Sequence, residues 1–242
     1  MGIEQANEFW RGFFDISAGR WGTPGTFVVP HAALGDYSGV WFFVREGQCV
    51  ISAPPGWCMH SEQMARRSQL APELPTADRI ASIFGSSATV TVGPAWHGFL
   101  SGSVRAVDGF CRGVASDSPG VAEFRAACTA TDWDHGGLDS AEQPWSAAMD
   151  SSRISAIAAL RKKQPQVFDV CVIARPDVRG GGFAQMAVSA AVAQRPAGAQ
   201  VLYQTLSSNR AAVRLAQALG FERYAEHLAV RLRHVSPQQV NA

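Results

Sequence analysis

Apolar residues in the first 16 positions recur at helical spacing. Phe9, Phe13 and Ile16 share one face, Trp10 and Phe14 lie beside them, and the pattern predicts a helix over 4–16. Further on the period shortens. Apolar runs at 25–30, 40–45 and 48–52 predict strands, and Glu46-Gly47 between the last two supplies a two-residue hairpin turn with Gly where positive φ is wanted. Pro54-Pro55-Gly56 ends the third run, and 61–70 reads as a helix. Thr76 is placed to cap a short helix through Asp78 and 80–84. Residues 88–92 alternate as a strand, and 104–107 predicts another. The S-D-S-P-G cluster at 116–120 is the clearest linker in the chain and predicts a boundary between units 1–115 and 116–242.

The second half has a cleaner rhythm. Residues 121–128 predict a helix, 132–137 a polar loop and 154–160 a strand. V-F-D-V-C-V-I-A at 167–174 is almost continuously apolar, as a strand buried on both faces would be. A loop over 175–182 leads into a helix at 183–195, stopped by Pro196, and a strand at 200–206. Asn209 and Gly220 bracket another helix as N-cap and C-cap, and 224–232 predicts a last strand. Such alternation predicts an α/β fold, a mixed sheet flanked by helices, preceded by an N-terminal α/β unit. A faint echo links hairpin, turn and helix at 40–70 with strand, turn and helix at 153–195.

Composition removes several function classes. With 47% apolar and 17% charged residues, the 242-residue chain can bury a core. Its net charge of +1, from 21 basic and 20 acidic residues, gives no electrostatic reason to expect nucleic acid or an acidic membrane as partner. The longest apolar stretch, 183–193, is too short for a bilayer, and no basic segment followed by an apolar one opens the chain, so a cytoplasmic protein is expected. Five cysteines, at 49, 58, 111, 128 and 171, are an odd number without a C-x-x-C pair and argue against a disulfide framework. Cys58 and His60 lack a second ligand pair at zinc spacing, and no metal is expected.

The chemistry concentrates at R-P-D-V-R-G-G-G-F-A, residues 175–184, between the buried strand and a helix. Gly180, Gly181 and Gly182 free the backbone to turn its N–H groups inward at the positive end of that helix, beside the charge of Arg179. Such a loop holds a phosphate or pyrophosphate, or it is a plain flexible turn. Two common phosphate loops are excluded: no G-x-x-x-x-G-K-[ST] is present, and from Gly180 the third glycine of G-x-G-x-x-G is Gln185.

R-G-G-G-F-A resembles the [QR]-x-x-G-x-[GA] acyl-CoA loop of the GNAT superfamily of N-acetyltransferases, with Arg179, Gly182 and Ala184 in the defined positions. V-C-V-I-A-R-P-D-V precedes it where the family has an apolar strand, and N-R-A-A-V-R-L-A-Q-A-L-G-F, 209–221, is similar to the family's second signature. The resemblance covers about 150–233, with weaker continuity back to about 117. It implies transfer of an acetyl group from acetyl-CoA to a primary amine of a small molecule or peptide. The backbone of Val172, Ile173 and Ala174 would pair with the pantetheine arm, and the amides of Arg179, Gly180, Gly181, Gly182, Phe183 and Ala184 would hold the pyrophosphate. Asn209 would cap its helix and lie near the arm.

Many members carry a tyrosine acid where this chain has Ala216, so none is expected here; Tyr203 and Tyr224 do not match that position. His135 and Asp169 are the candidate catalytic bases. Each has a plainer reading, a solvated loop histidine and a strand aspartate paired with Lys162 or Lys163. Trp133, between Asp132 and Asp134, is a candidate acceptor contact. The N-terminal half reads as a degenerate GNAT-like unit, in a tandem arrangement, or as a family-specific cap. Its echoed turn A-P-P-G-W, 53–57, loses two N–H donors to proline, so one donor site per chain is expected. The alternative is a CoA-binding sensor or scaffold with little turnover. Acceptor, acyl preference and the choice between monomer and homodimer stay open.

Overall fold

The computed structural model describes residues 2–67 and 72–233. In chain order its first elements are α1 (Gly2–Phe14), β1 (Gly25–Pro30), β2 (Gly39–Arg45), β3 (Gln48–Ala53), α2 (Cys58–Arg67), α3 (Ala77–Phe84) and β4 (Ala88–Leu100). There follow β5 (Cys111–Val114), α4 (Pro119–Ala126), α5 (Ala130–Gly136), β6 (Trp145–Asp150), β7 (Arg153–Gln164) and β8 (Val167–Ala174). The chain then adds α6 (Phe183–Ala193), β9 (Gln200–Leu206), α7 (Arg210–Ala218) and β10 (Phe221–Leu232).

These elements make two compact units that interleave in sequence. One takes residues 98–204 and 211–222 with the first residues of α1; the other takes 4–67, 72–97, 205–210 and 223–233. Residue 115/116, where the S-D-S-P-G cluster predicts a boundary, lies inside the first of these, between β5 and α4.

In the unit that starts at Glu4, strands lie in the order β1-β3-β2-β10-β4. β1 pairs parallel with β3, and β2 pairs antiparallel with β3 and with β10, where Leu228 stands opposite Phe42. The hairpin turn forms as expected: Glu46 and Gly47 both have positive φ (44° and 78°). Phe42, Ile51, Trp57, Ile83, Phe84 and Leu228 form one core cluster. On α1, Trp10 packs against Phe43 with ring centroids 4.5 Å apart.

The same unit buries a histidine pair, His97 Nε2 and His227 Nδ1 at 2.6 Å, with Trp41 stacked on His227 at 4.2 Å. Burial pushes the His227 pKa down to about 4. The native state therefore holds this ring neutral where an unfolded chain takes up a proton near pH 6.5. Stability should fall by up to about 3 kcal/mol as pH drops from about 6.5 towards 4. A urea midpoint unchanged across that window, or an equal drop in His227→Gln, would contradict this.

The other unit carries the order β9-β8-β7-β6-β5. Only β8 and β9 run parallel; β5 to β8 form antiparallel neighbours. Phe124, Trp133 and Leu138 from the α4–α5 region pack on Ile157, Cys171 and Ile173. α6 packs against β6, β7 and β8 and buries Ala187, Val188, Ala191 and Val192. Cover from helices explains why β8 reads as continuously apolar.

Four expectations change. Residues 104–107 are not a strand; β5 forms at Cys111–Val114 instead. The strand expected at 88–92 runs on to Leu100. The helix expected at 61–70 begins at Cys58, and 68–70 lie outside the described residues. The polar loop expected at 132–137 is the helix α5, capped by Thr129, whose Oγ1 accepts from the Asp132 N–H. All five cysteines are unpaired. Among the described residues no helix is long and apolar enough to cross a membrane, and no cluster of three or more His, Cys, Asp or Glu side chains could hold a metal.

Candidate functional site

The three glycines sit where β8 hands over to α6. The Arg175 N–H bonds the Ser155 carbonyl (3.0 Å), a 3-10 turn follows over Pro176–Val178, and the Gly181 N–H bonds the Val178 carbonyl (3.2 Å). Gly180 and Gly182 have φ of 88° and 82°. Gly182 is the N-cap of α6 and no side chain caps it. The amides of Phe183, Ala184 and Gln185 therefore open the helix without an intrahelical acceptor. No atom lies within 4 Å of a Cβ built on Gly180 or Gly182, so conformation demands glycine there while space beside the loop stays open. This is a cradle for an anion.

The strand before it is unusual along one edge. Its parallel ladder with β9 pairs Val167 with Gln200, Phe168 with Val201 and Asp169 with Leu202, and then ends. β7 pairs with β8 along its whole length. On the β9 side, the backbone from Val170 to Ala174, including Val172 and Ile173, has no ladder partner. An extended ligand with amide groups can pair there as an added strand.

Arg179 reaches away from its own loop. Its Nη2 pairs with Asp132 Oδ1 at 2.8 Å, and about half of the side chain stays exposed (53%). Asp132 is fixed from the other side, because Thr129 Oγ1 donates to Asp132 Oδ2 (2.9 Å). The Thr129 hydroxyl foremost, and then Arg179, hold the Asp132 carboxyl below its usual range. Arg175 pairs with Asp177 (3.1 Å), which also takes Arg153 (3.3 Å).

α5 meets β8 through a glycine. A Cβ on Gly136 would overlap Ile173 Cγ1 and Cδ1 and lie 3.4 Å from the Val172 carbonyl oxygen. Gly137, at φ 68°, ends the helix beside Cys171 Sγ and Arg161 Nη1. His135 is exposed and sits one residue before Gly136.

Asp169 has a different setting. It is 5% exposed, stands at the last ladder pair with β9, and shares its sheet face with Cys171 and Ile173. Its ion-pair partner is Arg161, not Lys162 or Lys163. Counting straight back from the Pro165-Gln166 turn would put Lys162 opposite Asp169. A bulge between Lys162 and Gln164 shifts the register by one and brings in Arg161. Asp169 Oδ1 and Arg161 Nε are buried with no hydrogen-bond partner. Burial pushes the Asp169 carboxyl up, against the pull of Arg161.

Burial and placement bear on three other expectations. Trp133 is not a surface contact: it is 5% exposed, donates to Asp139 Oδ2 (2.8 Å) and lies under the Arg125 guanidinium (4.4 Å). The change from loop to helix turns its ring into the core. Ala216 is fully buried, and so is nearly all of Tyr203; in the other unit the Tyr224 hydroxyl is held by Asn7 Oδ1 (2.8 Å). Asn209 immediately precedes α7, its N–H on the Leu206 carbonyl (2.9 Å), and belongs to the unit that starts at Glu4. Sequence reasoning missed Arg161 and Gly136. A regular hairpin reading of 153–174 points to Lys162 and not to Arg161, because the bulge has no sequence signal, and nothing in the sequence singles out Gly136.

Neither a family model nor a curated protein matches the sequence. Solved structures do. A GNAT-family acetyltransferase from Colwellia psychrerythraea is 12% identical, covering 96% of this chain and 98% of that one with a TM-score of 0.50. A protein assigned to the same family from Novosphingobium aromaticivorans is 22% identical over 59% of this chain and 65% of that one (TM-score 0.44). A GCN5-related N-acetyltransferase from Sphaerobacter thermophilus is 15% identical over 66% and 58% (TM-score 0.47). The chain thus spans less than two thirds of the length of these last two. The likeness that extends over nearly the whole chain, joined to the mixed sheet and flanking helices, shows that this chain has the fold of the GNAT superfamily.

Proposed function

We propose that the chain is an acyl-CoA-dependent N-acyltransferase that moves an acetyl group from acetyl-CoA to a primary amine of a small molecule or peptide. One observation carries the reading: the ladder-free edge of β8 and the glycine cradle follow one another on a single stretch of chain. Acyl-CoA has the matching parts in the same order, an arm with amide groups and a diphosphate. The residues present therefore fit this donor, which supplies a thioester activated towards amines.

Each residue's part follows from its chemistry. The backbone of Val172, Ile173 and Ala174 holds the arm as an added strand. The amides of Gly180, Gly182, Phe183 and Ala184, with Arg179, hold the diphosphate, whereas the Gly181 N–H stays on the Val178 carbonyl within the loop. A backbone N–H at or near Ala174 takes up the negative charge that develops on the thioester oxygen. His135 and Asp169 are the groups to accept the amine's proton, directly or through water. A departing thiolate, with a pKa of about 8.5, leaves with little help, which suits a site without a tyrosine at Ala216. Holding amine and thioester together supplies much of the acceleration. In the unit that starts at Glu4 the equivalent turn is Pro54-Pro55-Gly56, and we assign it no donor.

The test is thioester cleavage with a panel of amines, run beside calorimetry with acetyl-CoA. Turnover with at least one amine and about one donor bound per chain are expected. The log of kcat/KM should climb with pH to a plateau, and its lowest inflection should vanish in either His135→Ala or Asp169→Asn. Two donors per chain, or no binding, would sink the reading. Tight binding without turnover on any amine would instead favour a CoA-binding sensor, a reading that the missing tyrosine supports.

A further inference from the structure

We infer that Asp132 belongs to the donor site as a counter-charge on Arg179, so that the donor's diphosphate must share or displace it and Asp132 sets donor affinity. The inference rests on the donor reading above and adds to the site a residue outside the glycine loop.

The geometry is direct. Arg179 is the charged side chain of the 179–184 loop, and its Nη2 lies 2.8 Å from Asp132 Oδ1. Asp132 cannot swing away freely, because its backbone N–H and its Oδ2 are both tied to Thr129 Oγ1 (3.0 and 2.9 Å). A carboxylate is thus anchored on a capped helix beside the guanidinium, and the Thr129 bond and Arg179 keep it ionised. A diphosphate arriving at the cradle meets an arginine already paired with a carboxylate. If the pair persists, the diphosphate faces the carboxylate charge. If it breaks, binding gives up the pair. Both routes oppose donor binding, and the partial exposure of the two side chains (53% and 29%) keeps the effect small.

Asp132→Asn isolates the charge. The amide oxygen can still accept from the guanidinium, the amide NH2 can donate to Thr129 Oγ1 in place of the bond that the carboxylate accepted, and the backbone cap is untouched, so the helix should remain folded; a thermal melt checks this. By calorimetry with acetyl-CoA in low salt, the variant should bind about two- to fivefold more tightly than the parent chain, as expected for a partly exposed pair. In an Arg179→Gln background the same substitution should change affinity by much less. Unchanged or weaker binding in Asp132→Asn would overturn the inference, because Asp132 would then only orient Arg179. Equal tightening in both backgrounds would overturn it too, since the effect would be general charge and not the pair. Failure of the parent chain to bind acetyl-CoA would overturn the donor reading together with this one, which separates the two kinds of failure.

Discussion

Gly182→Val should weaken acetyl-CoA binding at least tenfold, measured by calorimetry. Gly182 sits at φ 82° as the N-cap of α6, a conformation that a β-branched residue adopts only at a cost of about 1–3 kcal/mol. No neighbouring atom stands within 4 Å of its missing Cβ, so the damage is conformational and not a clash. The chain will relieve the strain by rotating the peptide that aims the first amides of α6, and those amides make the cradle. Arg179→Ala should cost less, because most donors in the cradle are backbone groups. A melting temperature lowered by only a few degrees would confirm that the variant still folds. Unchanged affinity in a folded Gly182→Val would remove the glycine loop from the donor site.

Gly136→Ala should destabilise the protein by about 1–3 kcal/mol, although alanine is a far better helix former than glycine. The new Cβ would fall on Ile173 Cγ1 and Cδ1, and Ile173 is 5% exposed within a packed cluster. Relief requires either Ile173 or all of α5 to move, and Ile173 lies on the ladder-free stretch of β8. Donor affinity should therefore fall together with stability. In an Ile173→Ala background the same substitution should cost far less, because the overlapped atoms are gone. Equal destabilisation in both backgrounds would show that the contact between α5 and β8 does not explain the glycine.

The cradle was the most legible part of the site. Its demands are local: a glycine triplet, an arginine and a helix start are all visible within ten residues. Strand β8 was equally plain, because burial on both faces leaves an unbroken apolar run. What the sequence concealed depends on contacts between distant residues. The partner of Asp169 turns on a single bulge in β7, which shifts every later pair by one position. Helix α5 was hidden because A-T-D-W-D-H-G is made mostly of weak helix formers, ends on Gly136 and is followed by Gly137, and its stability comes from the Thr129 cap and from Trp133 in the core. Strand β6, W-S-A-A-M-D, has no β-branched residue and forms because β5 and β7 flank it. The units interleave for a similar reason, since no local signal says that the last strand will pair with β2.

That pairing constrains how the protein can be made. In a chain that emerges from its N-terminus, β2 is synthesised early, yet its neighbour β10 begins at Phe221. Throughout the intervening synthesis the edge formed by Phe42 and Phe43 waits without its partner. A ribosome paused before residue 232, or a fragment cut near 115, leaves an apolar strand edge of the kind that recruits other chains. Expression of the N-terminal half alone should therefore give aggregates, whereas supplying 223–233 by circular permutation ahead of α1 would let that sheet close during translation.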